Sequence, residues 1–149
     1  MKIYLACSIS GESYDDVVDY LLRTRDFLRS VGYTVYHPMI GKGHLRTEME
    51  FRAKDYRHPV STNRAIFGRD KWMVREVDVI LFNLTKSKTV SIGSMFEMAW
   101  GSHFGKHIVA AIPEQNIHQH AFVLQACDIV FPEISVAKDY LVSLIGGII

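Results

Sequence analysis

The chain has 149 residues, and 17 Lys and Arg against 16 Asp and Glu leave a formal net charge of +1, so no global field draws it to nucleic acid or to a membrane surface. Hydrophobic residues at 48%, aromatics at 11% and charged residues at 22% supply a core and an ordinary surface, which excludes disorder. A chain of this length fits one domain, residues 1–149, that buries roughly 70% of its extended surface. Its two cysteines, Cys7 and Cys127, suit a reducing cytoplasm better than a disulfide scaffold. No apolar run approaches the ~20 residues that span a bilayer. The opening MKIYLACSIS is followed at once by Gly11, Glu12, Asp15 and Asp16, which makes a poor signal peptide. The expectation is a soluble, intracellular, single-domain protein.

In chain order, Lys2–Cys7 (KIYLAC) is a short apolar strand. Over Ser13–Val31, apolar residues at 17, 18, 21, 22, 28 and 31 follow helical spacing, with Ser13 as cap, Asp15 and Asp16 in the first turn and Gly32 beyond the end. Tyr33–Tyr36 (YTVY) is a second strand, stopped by His37-Pro38. The strand–helix–strand order is a right-handed βαβ unit. Residues 38–60 show no periodicity, and a structureless loop of that size in a small domain is functional or mobile. Ser61–Glu76 reads as helix, capped by Ser61 or Thr62, with Ala65, Ile66, Trp72, Met73 and Val77 as its apolar positions. Asp78–Leu84 (DVILFNL) is a near-continuous apolar run, as in a strand buried on both faces. Ile92–Phe104 is helix, His107–Ile112 and Asp128–Phe131 are strands, and Glu133–Ile145 is a closing helix. The sum is an α/β three-layer sandwich, flavodoxin-like or Rossmann-like, with a parallel sheet of about five strands. Ligands bind beyond the carboxyl ends of such strands, which directs attention to 7–11, 37–42, 83–91 and 113–120. From Lys42 to Arg75 there are nine Lys and Arg against four Asp and Glu, a local +5, which leaves −4 on the remainder.

Three groups of residues carry candidate chemistry. Ser8-Ile9-Ser10-Gly11 follows the first strand, where small residues let backbone amides and hydroxyls reach sugar or phosphate oxygens; the same segment also serves as a capped turn, and it lacks the G-x-G-x-x-G fingerprint. Glu97 stands in SIGSMFEMAWG among apolar neighbours, with Gly93, Ser94, Trp100 and Gly101 at the helical i±3 and i±4 positions. A carboxylate there is costly unless it is paired, exposed or used, and small residues at 93 and 94 leave space beside it. Asp70, in GRDKW, is either a second functional carboxylate or a surface residue paired with Arg69, Lys71 or Arg75. Asp78 and Asp128 open strands and read as structural. No metal site is expected: His103 and His107 do not share a helix face, and His118-Gln119-His120 lacks the Cys or acidic partners that would complete a shell. No G-x-S-x-G nucleophile elbow occurs.

KIYLACSISG, RDKWMVREVDVILFNL and SIGSMFEMAWG together resemble the nucleoside 2-deoxyribosyltransferase superfamily, which includes nucleoside 5′-monophosphate N-glycosidases. TNRAIFGRD and NIHQH look most like its small phage-type members. The resemblance implies that Glu97 is the nucleophile, that Asp70 contacts the base and donates a proton, and that Ser8, Ile9, Ser10 and Gly11 contact base and sugar. It places Ser91 at the sugar's 5′ end and Gly93 among the substrate-binding residues. Ser91 stands where the transferases carry an Asp and the glycosidases a Ser, which suits a 5′-phosphate because a carboxylate would repel it. It also implies a homodimer or larger assembly in which His118 or His120 reaches a neighbour's site. Three features depart from the pattern: Cys7 replaces a common Gly, Ser10 replaces a common Arg, and the 83–91 loop is longer. Phosphate would then rely on the basic 42–75 segment, or the substrate carries none. The implied activity is cleavage of a deoxynucleoside or its 5′-monophosphate through a glycosyl-Glu intermediate, with transfer to another base or to water and no cofactor. The alternative is a non-catalytic nucleotide-binding sensor that uses the same cleft.

Overall fold

Side chains alternate between the two faces of a strand, and the central strands of this chain are apolar at both. The computed structural model, which describes residues 1–47, 51–54 and 56–146, sorts them into two cores. Ile3, Leu5, Val79, Leu81, Val109 and Ala111 face one layer of helices. Tyr4, Ala6, Ile80, Phe82, Ile108 and Ala110 face the other.

The strands are β1 (Lys2–Cys7), β2 (Thr34–Tyr36), β3 (Val79–Asn83), β4 (His107–Ala111) and β5 (Ile129–Phe131). All pair in parallel, in the order β2-β1-β3-β4-β5. The helices are α1 (Tyr14–Ser30), α2 (Asn63–Glu76), α3 (Ile92–His103), α4 (Ala121–Ala126) and α5 (Ile134–Gly146). Helices α1 and α5 cover the first face through Val17, Leu21, Leu28, Ala137 and Leu141. Helices α2, α3 and α4 cover the second through Met73, Val74, Met98 and Val123. This is the flavodoxin-like arrangement of the expected three-layer fold. Strand order reverses between β1 and β3, and a crevice opens at the carboxyl ends of strands at such a point.

The expected caps are present: Ser13 accepts from Asp16 N and Thr62 from Ala65 N. Residues 59–61 form a separate 3₁₀ turn, so α2 begins after Thr62. Two expectations need correction. Trp72 is not on the inward face of α2; it is 48% exposed and packs edge-on against Tyr36. The buried positions are Asp70, Met73 and Val74, so the inward stripe of α2 includes a carboxylate. Helix α4 has no counterpart in the sequence reading, because six residues (AFVLQA) are too few to show a 3.6-residue period.

The stretch 38–60 is built into the fold where it is described. Residues 48–50 and 55, part of the basic segment, lie outside the described residues. Gly43–Thr47 is a 3₁₀ turn, and Leu45, Phe51 and Tyr56 are buried in the α1-side core. Gly11 N donates to Phe51 O and Phe51 N to Glu12 O, at 3.0 and 2.9 Å. Gly11 makes this pairing at φ +82°, in the left-handed region open to glycine. Among the described residues, no helix is long and apolar enough to cross a membrane.

Candidate active site

A cavity of about 710 Å³ opens at the carboxyl ends of β1 and β3. Its walls are the loop after β1, residues 38–45, 51–54 and 56, residues 88–90, the first half of α2 and the first turns of α3.

Helix α3 buries Ser94, Glu97, Met98 and Gly101, the i, i+3, i+4, i+7 stripe of a core-facing helix. Gly101 lets that stripe come close to the sheet: a Cβ there would lie 2.5 Å from Ile80 Cδ1 and 3.2 Å from Ile108 Cδ1. Glu97 is therefore pressed inward and is only 7% exposed. Tyr4, on β1, donates its hydroxyl to Glu97 Oε1 at 2.6 Å.

Asp70 reaches the same cavity from α2 and is 8% exposed. Arg69 donates to Asp70 Oδ1 from Nε at 3.1 Å and from Nη2 at 2.9 Å. The same guanidinium donates to Pro38 O and Ile40 O, which ties the loop after β2 to α2. Asp70 does pair with Arg69, but at the wall of a cavity instead of on the surface.

Burial and the charge of Asp70 push the Glu97 carboxyl up from its ordinary 4.5 to about 8, against the Tyr4 hydrogen bond and the charge of Lys42. Burial also raises Asp70, opposed by Lys42 and Arg69. Burial thus favours the protonated form of both carboxyls, and the charge of Asp70 adds to that preference at Glu97. Burial and the nearby carboxylates raise the Tyr4 phenol well above its usual range, so it remains a donor.

Ser8, Ile9, Ser10 and Gly11 line the cavity, as do Ser91 and Gly93. Ser91 caps α3, accepting from Ser94 N at 3.4 Å and donating to Ser94 Oγ at 2.9 Å. The structure does not bring His118 or His120 to this cavity within the chain. His118 is 1% exposed, and its Nε2 accepts from Ser91 N at 3.1 Å while Nδ1 faces Asn116 Oδ1 at 3.0 Å. That pattern defines a neutral imidazole protonated on Nδ1, in line with burial lowering its pKa. His120 is exposed and caps α4 through Phe122 N.

Sequence reasoning missed two residues. Tyr4 was one position in an apolar strand, yet a buried tyrosine needs a partner for its hydroxyl, and that need was the available signal. Lys42 falls in the flagged strand-end segment 37–42 and in the basic segment but is not singled out by the sequence, although it stands between two glycines in the loop after β2. It is 5% exposed and lines the cavity. Of the basic segment, Lys42, Arg52 and Lys54 reach the cavity, and Lys88 joins them from the loop after β3.

Fold and site together define a flavodoxin-like protein with paired carboxylates at its switch-point crevice. The family described as nucleoside 2-deoxyribosyltransferase matches residues 3–138, and the chain belongs to that family. No curated relative matches the sequence by itself. Among solved structures, the 2-deoxyribosyltransferase of Bacillus psychrosaccharolyticus superposes with a TM-score of 0.67 at 16% identity, covering 95% of this chain and 90% of that one. The 2-deoxyribosyltransferase of Leishmania mexicana gives 0.61 at 18% identity, with 95% and 97% covered. The CMP N-glycosidase BcmB of Clostridium botulinum gives 0.56 at 17% identity, with 97% and 98% covered. At these identities the structural likeness speaks for the fold.

Proposed function

We propose that the protein breaks the N-glycosidic bond of a 2′-deoxynucleoside or its 5′-monophosphate through a covalent intermediate on Glu97. The observation that carries this reading is the buried Glu97 carboxylate, held by Tyr4 and sharing one cavity with Asp70. In the reactive form Asp70 carries a proton and Glu97 is ionised. Arg69 occupies only Oδ1 of Asp70, which leaves Oδ2 to carry the proton toward the base. A Glu97 carboxylate oxygen attacks C1′, the C1′–N bond breaks with its electron pair on the base, and Asp70 gives the base its proton. A second base or water then attacks C1′ from the opposite side, returns a proton to Asp70 and releases the Glu97 carboxylate. This is the double displacement of a retaining glycosidase.

Ser8 to Gly11 form the sugar- and base-facing floor. Ser91 and Gly93, at the N-terminus of α3, take the 5′ end, where helix amides favour an anion. Lys88, Arg52 and Lys54 add positive charge to the same cavity. We further propose that the active form is a homo-oligomer. Phe67, Phe96 and Trp100 form a contiguous ring cluster at the cavity rim, with Phe67 and Phe96 among the exposed hydrophobics, and a second copy covers it. Its setting is the reducing cytoplasm, in keeping with two free thiols.

The test is incubation with each common deoxynucleoside and deoxynucleoside monophosphate, with and without an acceptor base, followed by chromatography. Base release should fall at least ~10³-fold in Glu97→Ala. Full release by that variant overturns the mechanism, and binding without turnover by the wild type identifies a sensor instead. Preference for the unphosphorylated substrate removes the phosphate role of Ser91.

A further inference from the structure

Lysine is almost never buried without a partner, yet Lys42 is 5% exposed. Among the described residues its ammonium makes no hydrogen bond and no ion pair within contact distance; Asp70 and Glu97 act on it only through their charge. Arg69 holds Asp70 through Oδ1 alone, so the second carboxylate oxygen and the ammonium both remain open to a ligand in the cavity.

The position of this ammonium is built. Lys42 N donates to Met39 O and Lys42 O accepts from Leu45 N, so its backbone closes one turn and starts the next. The preceding carbonyls of Pro38 and Ile40 are clamped by Arg69, the residue that also holds Asp70. One guanidinium therefore fixes Asp70 and the Lys42 turn together. Gly41 and Gly43 flank the lysine, Gly41 at φ +75°, and nothing lies within 4 Å of where either Cβ would stand.

We propose that Lys42 contacts the departing base beside Asp70 and holds the negative charge that gathers on it as the C1′–N bond breaks. This inference rests on the reading of Glu97 and Asp70 given above and assigns the base-end electrostatics of that site. The bond that breaks leaves its electron pair on the base nitrogen, and in a base carrying a carbonyl the charge spreads to that oxygen. The Lys42 ammonium stays protonated throughout and donates a hydrogen bond to that acceptor, while Asp70 supplies the proton that ends on the base. A donor set in place before reaction and aimed at charge present only in the transition state speeds the step without tightening ground-state binding. In the free protein the same ammonium has only the cavity before it, and its partial loss of water costs stability. Burial accordingly lowers its pKa to about 8, with Arg69 adding to the effect and Asp70 and Glu97 opposing it.

Two substrate pairs test this. Thymidine is compared with 5-nitro-2′-deoxyuridine, and deoxyguanosine with its 7-methyl derivative, each also as the 5′-monophosphate. The second member of each pair needs less help with leaving-group charge: the nitro group withdraws it, and the methylated purine already carries a positive charge. Lys42→Met should lower kcat/KM about a hundredfold on the ordinary substrates and less than about tenfold on the activated ones, mainly through kcat. Lys42→Arg should restore part of the loss. Lys42→Met should also melt at a higher temperature than the wild type, because it removes a buried charge. An equal drop on all substrates, or a lower melting temperature with no change in leaving-group dependence, overturns the proposal and makes Lys42 structural. Should Lys42→Met not fold, the comparison runs with Lys42→Gln, which keeps a neutral donor and should show the same substrate split. Absence of wild-type turnover on every substrate removes the parent reading and this one with it, whereas wild-type turnover with a parallel loss in the variant removes this one alone.

Discussion

Two pairs of carboxylates stand at opposite ends of the same sheet, and their surroundings differ in every respect that matters for chemistry. At the amino ends, Asp78 Oδ2 accepts from Lys2 N and Asp128 Oδ2 from Ile108 N, both at 2.7 Å. Both are exposed, and each uses its charge to satisfy a backbone amide of the adjacent strand. At the carboxyl ends, Asp70 and Glu97 are buried in one cavity, and burial raises the pKa of both. Residue type does not separate the pairs. What separates them is which edge of the sheet they occupy and whether water reaches them, because desolvation is what turns a carboxylate into a proton holder.

The largest expected effect breaks the comparison by activity. On the mechanism proposed above, Asp70→Asn removes the proton donor and should lower base release about 10²–10⁴-fold, while Asp128→Asn should leave kcat/KM within about twofold of the wild type. Comparable losses in the two variants would erase the distinction between the edges.

A second test reads stability as a function of pH. The folded Glu97 carboxyl is raised from 4.5 to about 8, with burial the main cause. The sign follows directly. Below the unfolded value both states bind the proton and nothing is lost. As pH rises toward 8 the folded state keeps a proton that the unfolded state gives up, so stability declines across that window and levels off above it. Glu97→Gln cannot ionise and can still accept from Tyr4. It should therefore be more stable than the wild type by about 1–3 kcal/mol at pH 8, with the gap closing toward pH 4.5. Denaturant unfolding of both proteins at several pH values measures this, and a gap that does not change with pH would place the carboxyl in solvent. A site that costs stability in order to hold a reactive group is the usual relation between function and fold.

Much of this contrast was legible in the sequence, and the remainder was not for physical reasons. Strands β1, β3 and β4 showed as apolar runs because a parallel sheet is covered on both faces. Ser13 announced one helix start and Ser61 or Thr62 another, the structure choosing Thr62. Glu97 drew notice because its neighbours were apolar and small, and Asp70 because charge stood beside it. Period alone could not show that α2 turns Asp70 inward and Trp72 outward, since the stripe that packs is chosen by the partner surface. The partnership of Tyr4 with Glu97 spans 93 residues of chain and arises only when β1 lies under α3. The clamp from Arg69 to Pro38 and Ile40 likewise joins segments that no local pattern connects. Lys42 stayed hidden because its burial is a property of a loop without periodicity.

The smallest expected effect tests the amino-edge pair by itself. Asp128 Oδ2 accepts from Ile108 N and lies 3.5 Å from His107 Nδ1, at the point where β4 begins. Asp128→Ala leaves the Ile108 amide without that acceptor, and water can replace it only in part because Ile108 is buried. The cost should be about 1 kcal/mol, the net worth of one such hydrogen bond, read as a shift in the urea midpoint with unchanged slope. Asp128→Asn keeps an oxygen in place and should lose less than half of that. If Asn cost as much as Ala, the charge and its neighbour His107 would be the stabilising element, and the amino edge would depend on electrostatics as the carboxyl edge does. With Asn near neutral, the carboxylate at this edge acts through geometry alone: it supplies an acceptor to an amide at the start of a strand, and its ionisation has no part in the chemistry at the opposite end.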